Sequence, residues 1–288
     1  MPVIRKLSGA LAICLAVFMA CVPQYGAFAS SSQDSREEDG LSMSDTVPDR
    51  AAYARRARRL NPDTAGWLTV PGTGIDRAVL QNPPDMQDNT FYLNTDYYRA
   101  AERDGVPCTD FRVQIGGGRR HELSRNITIY GHSWTDNPGD PGGGPFVSIK
   151  RFRDPEFAKV TPYIFFSTAR EVMVWEVFAV YDATTRFPYI TPDPSDDRFL
   201  KTLDVIYDLS YYDYGVKISP DDKVITLSTC TYSTWDIPAL PAPNDYRFVV
   251  MAKLLPPGAE LKSEAVFTQK TRLLSPTKID RRMERIGL

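Results

Sequence analysis

The amino-acid sequence predicts a mainly β domain, a closed or nearly closed β-barrel with helical decorations. Two observations carry this. Short runs rich in β-branched and aromatic residues recur along the chain, among them WLTV, RAVLQ, NITIYG, EVMVWEVFAVY, KVITLST and YRFVVMAKLL. They are separated by turn-formers such as PGTG and NPPD. Helical spacing is confined to a few stretches, which suits a closed sheet with added helices.

In chain order, Arg5 and Lys6 precede an uncharged run from Leu7 to Val22, and Ala27-Phe28-Ala29 fits a small-x-small exit. Residues 1–29 therefore read as an export signal. If uncleaved, they read as an N-terminal membrane anchor with the rest of the chain outside. Residues 30–50 are dominated by Ser and acidic side chains and read as a flexible stalk. The chain is thus expected at the outer face of the cell membrane, anchored or released. Residues 50–60 suit a short helix whose Arg55, Arg56, Arg58 and Arg59 form a basic face. That face is either simply solvated or a contact for anionic lipid or wall polymer.

The strands start after Gly66. Two further stretches look helical, 152–160 and 195–209, the latter with Phe199, Leu203, Ile206 and Leu209 on one face. GDPGGGP at 139–145 reads as a loop whose glycines suggest mobility. It lacks the Lys-Ser/Thr ending of a phosphate-binding loop. Residues 51–257 form the expected catalytic domain. Residues 258–288 are a mildly basic tail, to be packed as a helix or left mobile.

Composition narrows the function. A formal net charge of −2 argues against a dedicated nucleic-acid binder, which carries a basic excess. The four Cys, at 14, 21, 108 and 230, form no CxxC pair, and the only His are His121 and His132. No metal site and no cofactor is expected from so few ligands.

Three residues sit where strands end. Cys230 closes the run Val224–Thr229, His132 follows the strand 126–131, and Arg247 opens the last strand. Each has an ordinary reading: a buried small thiol, a rim imidazole, a solvated edge charge. Together they supply a nucleophile, a proton carrier and an oxyanion donor. Periodicity does not show that they meet in space.

The residues Thr226-Leu227-Ser228-Thr229-Cys230 match the TLxTC signature of sortases, and Tyr130-Gly131-His132 matches their histidine strand. Arg247 stands where the sortase arginine does. From about Asn61 to Leu255 the sequence resembles this family of membrane-anchored cysteine transpeptidases from Gram-positive surfaces. The resemblance implies an eight-stranded β-barrel. The entry NPDTAGWLTVPGTGIDRAVLQ and the helical stretch 195–209, before the strand that carries the Cys, look like class B features.

The resemblance also implies a mechanism. Cys230 attacks the Thr carbonyl of a C-terminal sorting signal on a secreted protein and forms a thioacyl enzyme. His132 protonates the leaving amine, then helps deprotonate an amine of a cell-wall peptide. Arg247 stabilises the oxyanion or holds the substrate backbone. Substrate contacts are expected from Thr229, Ser228, Tyr130 and Leu93. Alternation along the strand points Thr229 and Cys230 to opposite faces, which leaves Thr229 a role through its backbone.

Three features depart from the pattern: sixteen residues, Thr231 to Tyr246, between Cys230 and Arg247; the Gly-rich insert after His132; and the tail, with capping the barrel or covering the site as its candidate roles. Cys108 reads as a buried small residue, with a disulfide to Cys230 as the other possibility. The competing readings are a surface binding barrel with a degenerate or inhibited site and a pilin-polymerising sortase. An L,D-transpeptidase would need a His-Gly-Cys motif, and none occurs. Reference titration near pH ~8.5 for a thiol and ~6.5 for an imidazole predicts a bell-shaped pH–rate profile. A flat profile between about pH 6 and 9 would contradict a thiol–imidazole mechanism.

Overall fold

The computed structural model describes residues 49–288 except 84, 242 and 243. The expected signal or anchor over 1–29, and the stalk up to residue 48, lie outside the described residues. Among the described residues no helix is long and apolar enough to cross a membrane.

Helix α1 (Ala51–Leu60) buries Ala51, Ala54 and Ala57, one per turn, and leaves Arg55, Arg56, Arg58 and Arg59 exposed. Small buried side chains let the helix lie close against the strands that follow. These are β1 (Thr64–Val70) and β2 (Ile75–Gln81), an antiparallel hairpin. Next come the two-residue β3 (Cys108–Thr109) and β4 (Asn126–Tyr130).

The expected helix at 152–160 is split in two. A 3₁₀ segment covers Val147–Arg153, and the α-helical part is α2 (Pro155–Val160). Pro155 cannot continue a helix through its missing N–H but is suited to the first turn of a new one. The Asp154 side chain caps that turn by accepting from the Glu156 backbone N–H.

The chain continues through β5 (Tyr163–Ser167), β6 (Val174–Thr184), α3 (Asp196–Leu209), β7 (Tyr212–Asp213), β8 (Val224–Cys230) and β9 (Tyr246–Leu254). Eight strands close a mixed barrel in the order β1-β2-β3-β4-β8-β9-β6-β5, with β5 pairing back onto β1. The pairs β2–β3 and β4–β8 are parallel and the others antiparallel. This is the barrel that the sequence and its resemblance imply, with α3 inserted ahead of the strand that carries Cys230.

The barrel interior is filled by Leu68, Val79, Ile127, Ile129, Phe166, Trp175, Leu227 and Val250, all essentially without solvent exposure. A second apolar layer lies between the strands and α3 and includes Phe178, Tyr181, Phe199, Leu203, Ile206 and Met251. Strand β6 thus contributes to both layers. That accounts for its near-continuous apolar sequence, where a half-exposed strand would alternate.

The C-terminal residues are packed, and they cover α3. Strand β10 (Thr268–Gln269) pairs with β7, Phe267 packs against Tyr212, and α4 (Ile279–Ile286) sits on α3 through the fully buried Ile279. Arg282 of α4 bonds Asp208 at 2.9 Å and also pairs with Asp204. Replacing Ile279 with Ala is therefore expected to destabilise the domain by about 2–5 kcal/mol. Urea unfolding measures this, and an unchanged midpoint would mean the tail contributes nothing to the fold.

Candidate active site

Strand pairing alone brings three distant residues to one rim. Strands β4 and β8 run parallel with Tyr130 opposite Ser228, so both end at the same edge of the barrel. His132 lies two residues beyond β4, and Cys230 is the last residue of β8. Strand β9 is antiparallel to β8, so its beginning meets the end of β8, and Arg247 is the register partner of Cys230. The three side chains line one cleft of about 280 Å³.

The imidazole is held from two sides. His132 Nε2 lies 2.9 Å from the Leu93 carbonyl oxygen. A carbonyl only accepts, so Nε2 carries the proton and Nδ1 is left for proton transfer. The ring stacks on Trp134 with centroids 4.4 Å apart, and the Arg103 guanidinium covers Trp134 at 4.7 Å. Trp134 Nε1 donates to Asp104 at 2.7 Å.

Two glycines make room for this arrangement. Gly105, at φ +55°, passes so close to the Leu93 carbonyl that any Cβ would collide with it. Gly144, at φ +89°, would bring a Cβ within 2.8 Å of the His132 carbonyl oxygen. That carbonyl accepts from Phe146 N at 2.9 Å, and Trp134 N donates to Gly143 O at 2.8 Å. The Gly-rich loop is thus laced to the histidine segment, where the composition had suggested a mobile one.

Burial pushes the His132 imidazole below its ordinary pKa, and the nearby Arg103 adds to that effect. The Leu93 carbonyl and Asp104 oppose it without reversing it.

Arg247 is anchored by its own backbone neighbourhood. Its Nη1 donates to the carbonyls of Tyr246 at 2.8 Å and Asn244 at 3.3 Å. Among the described residues, no hydrogen-bond acceptor engages its Nε or Nη2.

The four expected substrate-contact residues, Leu93, Tyr130, Ser228 and Thr229, also line the cleft. Their polar atoms are largely engaged. Tyr130 donates its hydroxyl to the buried Asp110 at 2.7 Å, while Arg112 grips the same carboxylate through Nε and Nη2 at 2.8 and 2.7 Å. Burial, and then the Asp110 charge, hold the Tyr130 phenol far above its usual titration range, so it stays neutral. The Ser228 hydroxyl is 2.9 Å from the Tyr189 hydroxyl. Thr229 Oγ1 donates to the Gly131 carbonyl at 2.7 Å and ties the ends of β4 and β8 together.

Asn89, Thr185, Tyr189 and Ile190 line the cleft as well, and sequence reasoning did not find them. Three lie in the β6–α3 connection, where the signal was the aromatic, Pro-containing segment FPYITPDP.

Cys108 and Cys230 are both free thiols. Burial, with the Asp110 charge beside it, pushes the Cys108 thiol up to about 12, so it stays protonated and packs as an apolar group. His121 lies in an exposed turn, away from this chemistry.

A barrel that ends in a Cys–His–Arg rim has counterparts of known name. The chain is similar to sortases, and its likeness is to class B. It is 34% identical over 177 residues to Sortase B of Listeria monocytogenes, covering 61% of this chain and 66% of that one. The match thus spans just under two thirds of that relative. A Staphylococcus aureus sortase B–substrate complex superposes with a TM-score of 0.58 at 25% identity, covering 72% of this chain and 86% of that one. A sortase B complexed with triglycine gives the same TM-score at 25% identity, covering 74% and 90%. No protein-family model matches the chain.

Because burial disfavours the imidazolium, the acid limb of the kcat/KM profile is expected to fall below the ordinary imidazole value of about 6.5. Titration of His132 by NMR should give the same displaced midpoint. A midpoint above 6.5 would contradict the burial argument.

Proposed function

We propose that this protein is a sortase-type cysteine transpeptidase acting on secreted proteins that carry a C-terminal sorting signal. The observation that carries this reading is the meeting of Cys230, His132 and Arg247 on one cleft rim. A solved relative was captured with substrate and another with triglycine, which supports a peptide donor and an amine acceptor for this chain.

In this reading His132 Nδ1 takes the proton of the Cys230 thiol, and the resulting thiolate adds to the Thr carbonyl of the sorting signal. Negative charge moves onto the carbonyl oxygen, where the Nε and Nη2 hydrogens of Arg247 receive it. The C–N bond breaks as His132 Nδ1–H protonates the departing amine, leaving a thioester on Cys230. An amine from a cell-wall peptide then attacks the thioester carbonyl, and Nδ1 takes its surplus proton. Collapse forms the new amide and expels the thiolate.

Hydroxyls committed to Asp110 and Tyr189 leave Tyr130 and Ser228 to act mainly as shaped walls. Leu93 contributes both an apolar wall and the carbonyl that orients His132. Thr229 acts by fixing the Gly131 backbone. The segment at 1–29 puts the enzyme at the outer membrane face, anchored or released.

The test uses residues 30–288, a panel of quenched sorting peptides and triglycine as acceptor. The expected result is cleavage with a new amide product when triglycine is present, and loss of both in Cys230→Ala. Arg247→Ala should lower kcat by about 10²–10³-fold, the usual cost of removing an oxyanion donor. Turnover that survives Cys230→Ala would refute the mechanism.

A further inference from the structure

Behind the cleft rim lies a buried ion network that the chemistry above does not use. Lys150 and Arg153 stand three residues apart in the 3₁₀ segment, a spacing that stacks their side chains on one face. The Lys150 side chain has no solvent exposure, and its ammonium sits 2.6 Å from Asp136 Oδ1. Arg153 bonds Asp182 of β6 at 3.1 Å, and the Asp182 side chain is fully buried too. Two cations thus balance two carboxylates.

Tyr211 also donates to Asp182, and Arg153 lies over the Phe248 ring, while the other side-chain hydrogen bonds of Lys150 and Arg153 fall on two segments. On one side they fall on the residues just after His132. Lys150 Nζ donates to Ser133 Oγ at 2.7 Å and to the Thr135 carbonyl at 2.6 Å. On the other side they fall on the residues just after Cys230. Arg153 Nη2 donates to Thr231 Oγ1 at 2.7 Å and to the Ser233 carbonyl at 3.0 Å. Asp136 joins the two sides: it accepts from Tyr232 N at 3.0 Å and Ser233 Oγ at 2.6 Å, and lies 3.0 Å from Thr231 Oγ1.

We propose that Asp136, with Lys150, Arg153 and Thr231, is a positioning device that fixes the segment after His132 and the segment after Cys230 to one buried charge cluster and so sets imidazole against thiol. The proposal rests on the reading of Cys230 and His132 as the reacting pair. A buried ion pair is a poor source of net stability, because desolvation offsets its attraction. It is a rigid constraint, however, since neither charge can move without losing its partner. Misplacement of a reacting group by about 1 Å is enough to cost on the order of 100-fold in rate. Among the described residues no hydrogen bond joins Asp136, Lys150 or Arg153 to the Cys230 thiol or the His132 imidazole, so their hold on the pair runs through Ser133 and Thr231.

The test compares Asp136→Asn, Thr231→Val and Thr231→Ser with the unaltered protein on a cleaved sorting peptide. Asp136→Asn and Thr231→Val are expected to lower kcat by about 10- to 100-fold with KM nearly unchanged, because neither residue lines the cleft. Thr231→Ser keeps the hydroxyl and should retain the original kcat. Alkylation of Cys230 by iodoacetamide, followed by intact mass, reads the thiol–imidazole pairing without any peptide.

Thr231→Val and His132→Ala should each slow alkylation, and the double variant should be no slower than His132→Ala alone. If Asp136→Asn does not fold, the Thr231 pair decides. Alkylation of Thr231→Val at the original rate, or losses that add fully to those of His132→Ala, would overturn the proposal. Absence of Cys230-dependent peptide turnover would refute the transpeptidase reading instead, while the alkylation series still decides the network.

Discussion

The parallel pairing of β4 with β8 is the constraint on which the site depends. Five consecutive register pairs, Asn126–Val224 to Tyr130–Ser228, fix where both strands stop. Cross-links reinforce the pair: Thr226 Oγ1 donates to Asn126 Oδ1 at 2.7 Å on the buried face turned toward α3, and Thr229 Oγ1 reaches Gly131 O at the rim. A slip of one residue would turn Ile127, Ile129, Ile225 and Leu227 out of the core. The apolar interior therefore holds the register of β4 and β8, and the rim inherits its geometry from packing that lies well below it.

Around that pair the molecule divides its work. The cleft side is built from apolar walls and hydroxyls already satisfied by neighbours, so few polar groups compete for a peptide. Outside the cleft lining stand the charges of Asp136, Lys150, Arg153 and Asp182. Each is neutralised within hydrogen-bonding distance. Burial opposes ionisation of Asp136, but the bonds from Lys150 and Ser233 outweigh it and hold its carboxyl below the usual range. Burial likewise lowers Lys150, although its contact with Asp136 resists this.

Much of this was legible in the sequence because it is local. The TLSTC run, the Tyr-Gly-His strand end and the Arg at the start of β9 are contiguous motifs, and their strands alternate or run apolar as their burial requires. The helix at 195–209 followed from its apolar face, and the structure bounds it at Asp196–Leu209 with Ser195 as its cap. What was not legible is pairing across long separations. Nothing in the sequence places Asn89, Tyr189 or Asp136 near Cys230. Neither Lys150 nor Arg153 stood out, since a Lys or Arg on a short helical stretch ordinarily faces water. The Gly-rich loop misled for a related reason: glycine marks both freedom and close approach, and only the position of the His132 carbonyl shows which applies to Gly144.

The bond from Thr229 to Gly131 joins residues 98 apart in sequence. A contact of such span forms only after the chain has closed a loop of that length, an entropic cost met late in folding. The histidine strand emerges from the ribosome long before the cysteine strand. Until the second docks beside the first, the thiol has no imidazole to exchange protons with. The topology of the barrel thus keeps Cys230 apart from His132 in any chain whose β4 and β8 have not yet paired.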